Sequence, residues 1–424
     1  MHNLNSLKIS LWGKTLGYIA LDQAGNPLFE YEPSFKQFNY EISPLELPLA
    51  TTTIFTQNNK AHSFQGLPGV IADHLPDRFG KRIIYAFYKQ HFNLEPKEVD
   101  VIKQLLYVGK NGIGALEFSP ELSQNLTKEQ EWPEIKSLKQ AAKDIIEDKA
   151  NSKTLDIIRV GGSAGGAQAK ALIDYDPITK KIRSGHSKPK AGFIPCLIKF
   201  DGIIDGEEPN CYKRLEYIYS LMAQSCHIEI PKTYLLEECG PRGVEKSHFI
   251  VERFDQDHKK NKIYHYASLC GIYTKDFVQK HSCTYEELFS LTNKLTLDKA
   301  EVLKAFRIAV FNIVFRNQDD HTKNFGFLMD KNGQWKLAPA FDLTYSYGAG
   351  SSQTHQMKFN NKDDNFEKND IFHVGNKYGI KNKQIVEIIE STQNALENFL
   401  DLADKNNLAP DFAKGVFRNF RRLG

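Results

Sequence analysis

Apolar and polar residues alternate at the start of the chain. Leu7, Ile9 and Leu11 are separated by polar residues, Gly13-Lys14 marks a turn, Tyr18 and Ala20 alternate again, and Ala24-Gly25-Asn26-Pro27 precedes Phe29 and Tyr31. A period of two, broken by turn residues, predicts a β-rich first unit. The period then lengthens: Ile83, Ile84, Phe87 and Tyr88 fall on one helical face after Gly80, and Val101 to Val108 predict a second short helix before Asn111-Gly112-Ile113-Gly114, whose glycines imply a sharp turn. From Ser119 to Ser152 the chain is polar and charged around one further helix, Leu138 to Ala150, and the boundary between units is placed there.

The second half repeats the change of period. Leu155 to Val160 predicts a strand, Gly161-Gly162-Ser163-Ala164-Gly165-Gly166-Ala167 a small-residue loop, and Lys170 to Tyr175 a returning strand. A basic connection leads to the apolar strand Gly192 to Ile198 with Lys199 at its end. Leu215, Ile218, Tyr219 and Met222 then predict a helix over Tyr212 to Cys226, and Tyr234 to Leu236 and Phe249 to Phe254 predict further strands. Val302, Leu303, Phe306, Val310, Ile313 and Val314 form one apolar face of a helix ending near Arg316. Phe325 to Met329 and Gln334 to Ala338 follow as strands around the hairpin composition Asp330-Lys331-Asn332-Gly333.

Composition narrows the class without choosing a function. At 424 residues the chain has room for two or three units and an ample core, and 41% hydrophobic with 25% charged residues is an ordinary globular balance. A formal net charge of +3 gives no argument for nucleic-acid binding, and the basic clusters Lys180 to Arg183, Lys188 with Lys190, and Arg418 with Arg421 and Arg422 read as solvated surface. No apolar run is long enough to cross a bilayer, and Met1-His2-Asn3-Leu4-Asn5 lacks the layout of a signal peptide, so a cytoplasmic location is expected. Six dispersed cysteines without a Cys-x-x-Cys pair are expected to be buried or half-buried free thiols.

The chemistry concentrates in Asn317-Gln318-Asp319-Asp320-His321-Thr322-Lys323-Asn324. Asp319 precedes Asn324 by the interval that separates the catalytic Asp and the metal-binding Asn of protein kinases, and Asp342 follows within an apolar segment. A hydroxyl nucleophile needs a carboxylate to orient it and take its proton, while a nearby side-chain carbonyl and a second carboxylate can hold magnesium against ATP phosphates. Asp320 reads as a surface carboxylate rather than the base. The competing reading of the run is a solvated loop with an Asx turn. The glycine loop matches neither the P-loop nor the dinucleotide fingerprint; strand, glycine loop, strand fits a lid over ATP and fits a surface hairpin equally. Lys199, ending an apolar strand, has the place of a phosphate-contacting lysine, with Glu216 on the next helix positioned to hold its ammonium; a snorkelling edge lysine is the alternative.

Taken in order, these segments resemble the HipA-like serine/threonine kinases, toxins of bacterial toxin-antitoxin pairs, over nearly the whole chain. Ser163-Ala164-Gly165-Gly166-Ala167-Gln168-Ala169-Lys170 is similar to that family's regulatory glycine-rich loop, Leu197-Ile198-Lys199 to its ATP-lysine strand, and Val251-Glu252-Arg253-Phe254-Asp255 to its hinge. Asn317-x-Asp319-x-His321-x-Lys323-Asn324-Phe325 is similar to the catalytic loop, and Leu337-Ala338-Pro339 with Phe341-Asp342 to the metal-binding segment. Leu75-Pro76-Asp77 and Gly112 to Phe118 resemble parts of the small domain that precedes the kinase core.

The resemblance implies an α+β fold: a protein-kinase-like bilobal core, with β-rich N-lobe and helical C-lobe, after a small β-rich N-terminal subdomain. The expected divisions are 1–118, a connecting segment 119–152, an N-lobe 153–255 and a C-lobe 256–424. It implies Asp319 as the catalytic Asp and Asn324 and Asp342 as ligands of Mg2+. Lys199, Glu216, Gly165, Gly166, Ala167, Glu252, Phe254, His321 and Lys323 would form the ATP site, and Ser163 the autophosphorylation site. A phosphoserine there would put negative charge where the nucleotide phosphates must lie. The chain departs from better-known members in having Asp320 where they have Gly, and Ser-Ala-Gly-Gly where they have Ser-Ile-Ala-Gly. The expected partners are a small DNA-binding, HipB-like antitoxin, with DNA reached only through it, and a protein substrate of the aminoacyl-tRNA synthetase class. No membrane partner is expected. Three other readings stay open: a metal-dependent phosphohydrolase using Asp319, Asp320 and His321, a catalytically silent kinase-like binding module, and a kinase-fold enzyme acting on a lipid or small molecule.

Overall fold

The computed structural model describes residues 6–51, 54–56, 63–120, 135–150 and 168–423, apart from 186–189, 204–209, 242 and 349. The predicted strand at Leu155 to Val160 and the glycine loop with Ser163, Gly165, Gly166 and Ala167 lie outside the described residues.

The first unit is a four-stranded antiparallel sheet in the order β3-β2-β1-β4, built from β1 (Ser6–Leu11), β2 (Lys14–Leu21), β3 (Pro27–Tyr31) and β4 (Leu116–Ser119). Leu7, Ile9 and Leu11 are buried as their alternation requires. On β2 the buried residues are Leu16, Gly17 and Ile19, while Tyr18 is 44% exposed. A register shift opposite Ile9 and Ser10 leaves Leu16 as an extra residue and re-aims the strand, which local alternation cannot reveal.

Helices α1 (Gly69–Ala72) and α3 (Val101–Val108) share the core of this sheet, while α2 (Arg78–Phe92) packs on α3 and turns its apolar face to a second core. Helix α2 starts where Asp77 accepts a hydrogen bond from the Gly80 amide at 2.5 Å, and α3 where Asp100 accepts one from the Lys103 amide at 2.9 Å. The connecting segment contributes α4 (Ile135–Ile146), which buries Leu138, Ala141, Ala142 and Ile145 and stops short of the predicted Ala150.

The N-lobe is an antiparallel sheet in the order β6-β5-β7-β9-β8, formed by β5 (Lys170–Tyr175), β6 (Ile182–Ser184), β7 (Ile194–Lys199), β8 (Thr233–Gly240) and β9 (Gly243–Glu252). Helix α5 (Tyr212–Ser225) lies against β8 and β9, with Ser220 Oγ 2.7 Å from Thr233 Oγ1, and turns the predicted Leu215, Ile218, Tyr219 and Met222 face into the C-lobe core, where Tyr219 Oη donates to the Phe315 carbonyl at 2.6 Å. Behind the sheet, Ile173, Ile198 and Ile250 share one core with Ile83 of α2 and Leu138 of α4, so the first unit backs the N-lobe.

In the C-lobe, β10 (Gln256–Asp257) pairs with β11 (Lys262–Ile263), and β12 (His265–Ser268) leads into α6 (Leu269–Tyr273), α7 (Tyr285–Thr296) and α8 (Lys299–Val314). The predicted hairpin is β13 (Gly326–Met329) with β14 (Trp335–Leu337), pairing Phe327 with Leu337, and α9 (Lys368–Lys377), α10 (Asn382–Glu397), α11 (Phe399–Lys405) and α12 (Pro410–Asn419) complete the lobe. The fold is mixed α/β and bilobal in the manner of a kinase.

The first unit also meets the C-lobe closely. Gly69 of α1 lies so near α6 that a Cβ there would sit 2.2 Å from the Gly271 carbonyl oxygen. One continuous core holds Leu7, Ile71, Leu269, Phe306 and Phe327. Of the six cysteines, all free, five are buried; Cys239, expected to be at least half-buried, is exposed on the outermost strand β8. No helix among the described residues is long and apolar enough to cross a membrane.

Candidate active site

Helix α8 ends at Val314, and Arg316 turns the chain through a left-handed conformation with φ of 55°. The loop that follows is tied back to the helix, because the Asn317 side chain donates to Asn312 Oδ1 at 3.0 Å and its amide donates to the Asn312 carbonyl at 3.0 Å. Asp319 is then held through its backbone: its amide donates to Ser346 Oγ at 2.8 Å, and its carbonyl accepts from Asn324 Nδ2 at 2.8 Å. That leaves the Asp319 carboxylate, with 59% of its side-chain surface exposed, free to meet a substrate. It also turns the Asn324 carbonyl oxygen away from the loop bond, available as a metal ligand.

Asp342 comes to this loop from the segment after β14, and its own φ of 53° is strained for a residue with a Cβ. Its Oδ1 accepts from Lys199 Nζ at 2.5 Å, and Lys199 Nζ donates to Glu216 Oε1 at 2.5 Å. Strand β7, helix α5 and the C-lobe segment thus meet at one ammonium. Burial alone would favour neutral Lys199, but the Asp342 and Glu216 carboxylates outweigh it and raise the lysine above its usual value. Burial likewise opposes the Asp342 charge, and Lys199 and Lys170 overcome it, holding that carboxyl below the ordinary range. Asp319 shifts the other way. The surrounding protein disfavours its charge and the carboxylates of Asp342 and Asp320 add repulsion, so it is raised despite the pull of His321. A carboxylate that is open to water at its tip, and whose charge the surrounding protein still disfavours, suits a proton acceptor better than a buried counter-ion.

Asp320 corrects the sequence reading. It is fully buried, and accepts from Tyr285 Oη, His355 Nδ1 and the Gln356 amide, each at 2.7 Å. Burial disfavours its charge, but His355 and these hydrogen bonds hold its carboxyl below the ordinary value. Its oxygens serve the C-lobe interior, so Asp319, Asp320 and His321 do not converge as a ligand set. Among the described residues no three His, Cys, Asp or Glu side chains gather as a metal site. The oxygen donors present, Asn324 and Asp342, suit a hard cation that takes its other ligands from phosphates and water.

The other predicted positions divide. His321 Nε2 is 3.9 Å from Asp319 Oδ1, and its ring lies 5.4 Å from that of Phe277. Lys323 Nζ lies 4.8 Å over the same Phe277 ring, and its charge bears on Asp73 and Asp77 of the first unit. At the hinge, Phe254 stacks on Phe341, next to Asp342, with centroids 5.2 Å apart, and Glu252 accepts from Tyr234 Oη at 2.6 Å.

Two features escaped the sequence reading. Lys170 is the register partner of Lys199 across β5 and β7; it is buried, with Nζ 3.1 Å from Asp77 Oδ2 of the first unit. Its position shortly after the glycine loop, at the head of the apolar run Ala171-Leu172-Ile173, was the available signal. The second is the Gly112-Ile113-Gly114 turn, which staples the hinge: Arg253 donates to the Gly112 carbonyl at 2.8 Å, and the Gly114 amide donates to Asp255 Oδ2 at 2.7 Å. Gly114 has φ of 77°, and a Cβ there would lie 2.8 Å from the Tyr266 amide nitrogen, so only glycine fits.

Comparison with known proteins agrees with this geometry. The family model described as the HipA-like C-terminal domain matches residues 162–399, and that described as the HipA N-terminal domain matches residues 7–119. A chain from the Shewanella oneidensis MR-1 toxin-antitoxin complex of HipA, HipB and operator DNA superposes with a TM-score of 0.66 at 16% identity, covering 97% of this chain and 95% of that one, a likeness of fold. "Putative kinase Y4mE" of Sinorhizobium fredii is 33% identical over 107 residues, 22% of this chain and 24% of its own length. A "Putative kinase" of Haemophilus influenzae is 28% identical over 123 residues, 27% of this chain and 36% of its own. The chain therefore spans about a quarter to a third of the length of the curated relatives it matches.

Proposed function

The chain belongs to the HipA family, and from that premise we propose that it is an ATP- and Mg2+-dependent serine/threonine protein kinase acting as the toxin of a toxin-antitoxin pair. The observation that carries the reading is the meeting of Lys199, Glu216 and Asp342 at 2.5 Å contacts, beside a loop that presents Asp319 and Asn324. A buried ammonium kept charged by two carboxylates is prepared to exchange one of them for a nucleotide phosphate.

In this reading Asp319 orients a serine or threonine hydroxyl toward the γ-phosphorus and accepts its proton, while Lys199 steadies the phosphates and Glu216 steadies Lys199. Asn324 and Asp342 hold the magnesium ion, which when bound screens the phosphate charge. Lys170, side by side with Lys199, adds a second cation at the phosphate end, and the stacked Phe254 and Phe341 wall the base end.

The Shewanella oneidensis chain belongs to a complex of HipA with HipB and operator DNA, and by that likeness the partner of this chain is a HipB-like, DNA-binding antitoxin, with DNA reached through it. The substrate is a protein hydroxyl on a translation component such as an aminoacyl-tRNA synthetase, the setting is the bacterial cytoplasm, and Ser163 is the autophosphorylation site. Incubation with γ-labelled ATP and magnesium tests this. The reading requires label on the protein, on a peptide lost in Ser163→Ala, and no label when magnesium is chelated; an unlabelled wild type in the presence of magnesium contradicts it.

A further inference from the structure

The segment after Asp342 runs without regular helix or strand, apart from a short 3-10 turn at Gly350–Gln353, until α9 begins at Lys368. In many kinases the equivalent stretch is ordered by a phosphate that recruits arginines. Here a carboxylate already occupies such a position. Asp364 Oδ1 accepts from Arg316 Nη1 at 3.0 Å and pairs with Nη2 of Arg421, so two guanidinium groups converge on one oxygen. The three side chains keep only 26%, 18% and 7% of their surface in contact with solvent.

Both arginines are also tied to the end of α8: Arg421 bonds to it, and Arg316 lies at its exit. Arg421 donates through its amide to the Val314 carbonyl and through Nη1 to the Ile313 carbonyl, each at 2.9 Å. Arg316 Nε donates to the Asn419 carbonyl at 2.9 Å, and its guanidinium lies 4.8 Å from the Tyr347 ring centroid. The connection continues to the chemistry. The Arg316 carbonyl accepts from the Ser346 amide at 3.1 Å, and Ser346 Oγ accepts from the Asp319 amide at 2.8 Å while donating to Asn317 Oδ1 at 3.3 Å. Arg316, held at φ of 55°, is the residue whose conformation decides where the loop starts.

We infer that Asp364 is a positioning residue that does the work of an activation-segment phosphate: clamped by Arg316 and Arg421, it fixes Ser346 and through it the backbone of Asp319. Phosphoryl transfer then needs no phosphate on residues 342–367. The inference rests on the kinase reading for its activity readout and on geometry alone for its structural one.

The experiment compares the full chain with Asp364→Asn and Asp364→Glu, measuring autophosphorylation rate against MgATP concentration and amide exchange over 317–324. Asp364→Asn is expected to lower the maximal rate on the order of tenfold at unchanged half-saturating MgATP, because the nucleotide pocket is intact and only the base is misplaced. Exchange over 317–324 should quicken, Asp364→Glu should restore most of both, and mass spectrometry of active wild type should find 342–367 unphosphorylated. If Asp364→Asn does not fold, Arg421→Lys, which keeps the charge and loses the fork, is read in the same way. Wild-type rate and exchange in these variants, or activity that disappears when phosphate is removed from 342–367, overturns the inference. A wild type that transfers no phosphate sinks the kinase reading separately, and the exchange measurement still decides the clamp.

Discussion

Lys199 and Asp342 stand 143 positions apart in the chain, and their charged atoms meet at 2.5 Å across the two lobes. The same ammonium holds Glu216, so removing it takes away the one cation that both carboxylates contact and leaves Lys170 as the nearby charge on Asp342. Lys199→Met is expected to destabilise the fold by about 3 kcal/mol and to weaken MgATP binding at least about tenfold. Urea unfolding and calorimetric titration with MgATP check the two effects; unchanged values for both would remove Lys199 from the site.

Asp320 contributes to stability and not to proton transfer. With Tyr285, His355 and the Gln356 amide all donating to it, Asp320→Asn puts an amide donor against donors and should cost about 3 kcal/mol at neutral pH. Because its folded-state value lies below that of a free carboxyl, its stabilisation is complete above about pH 4 and is lost as pH falls through the lowered native value. Acid titration of stability should therefore show a component in wild type that Asp320→Asn lacks. Superimposable acid limbs would mean that Asp320 is not ionised in the folded protein.

The pair of Asp77 and Lys170 joins the first unit to the N-lobe sheet. Asn at 77 can still cap α2 but cannot neutralise a buried ammonium beside Lys199, so Asp77→Asn should lose roughly 3 kcal/mol. Combining it with Lys170→Met should return much of that loss, since the stranded charge is gone. Strictly additive losses in the double variant would show that the two side chains do not interact.

What was legible in the sequence, and what was not, follows range of interaction. The apolar spacing of Leu215, Ile218, Tyr219 and Met222 on α5, and of Phe306, Val310 and Ile313 on α8, is local, and those helices are present where the spacing places them. The structure brings Lys199, Glu216 and Asp342 together and joins Asn324 to Asp319, an arrangement that their residue types and intervals led one to expect. Asp320 was misread because its burial depends on Tyr285, 35 positions earlier, and His355, 35 positions later. Lys170 was passed over for the same reason, as its partner lies in another unit. That Leu7 and Phe306 share a core is likewise something no stretch of sequence displays.

As proposed, Asp319 accepts the proton of a substrate hydroxyl while other residues bind the nucleotide, and transfer of label from γ-labelled ATP by Asp319→Asn, measured beside its calorimetric affinity for MgATP, separates the two roles. A rate at least about a hundredfold below wild type, with affinity within about threefold, is expected. Transfer at the wild-type rate would contradict it.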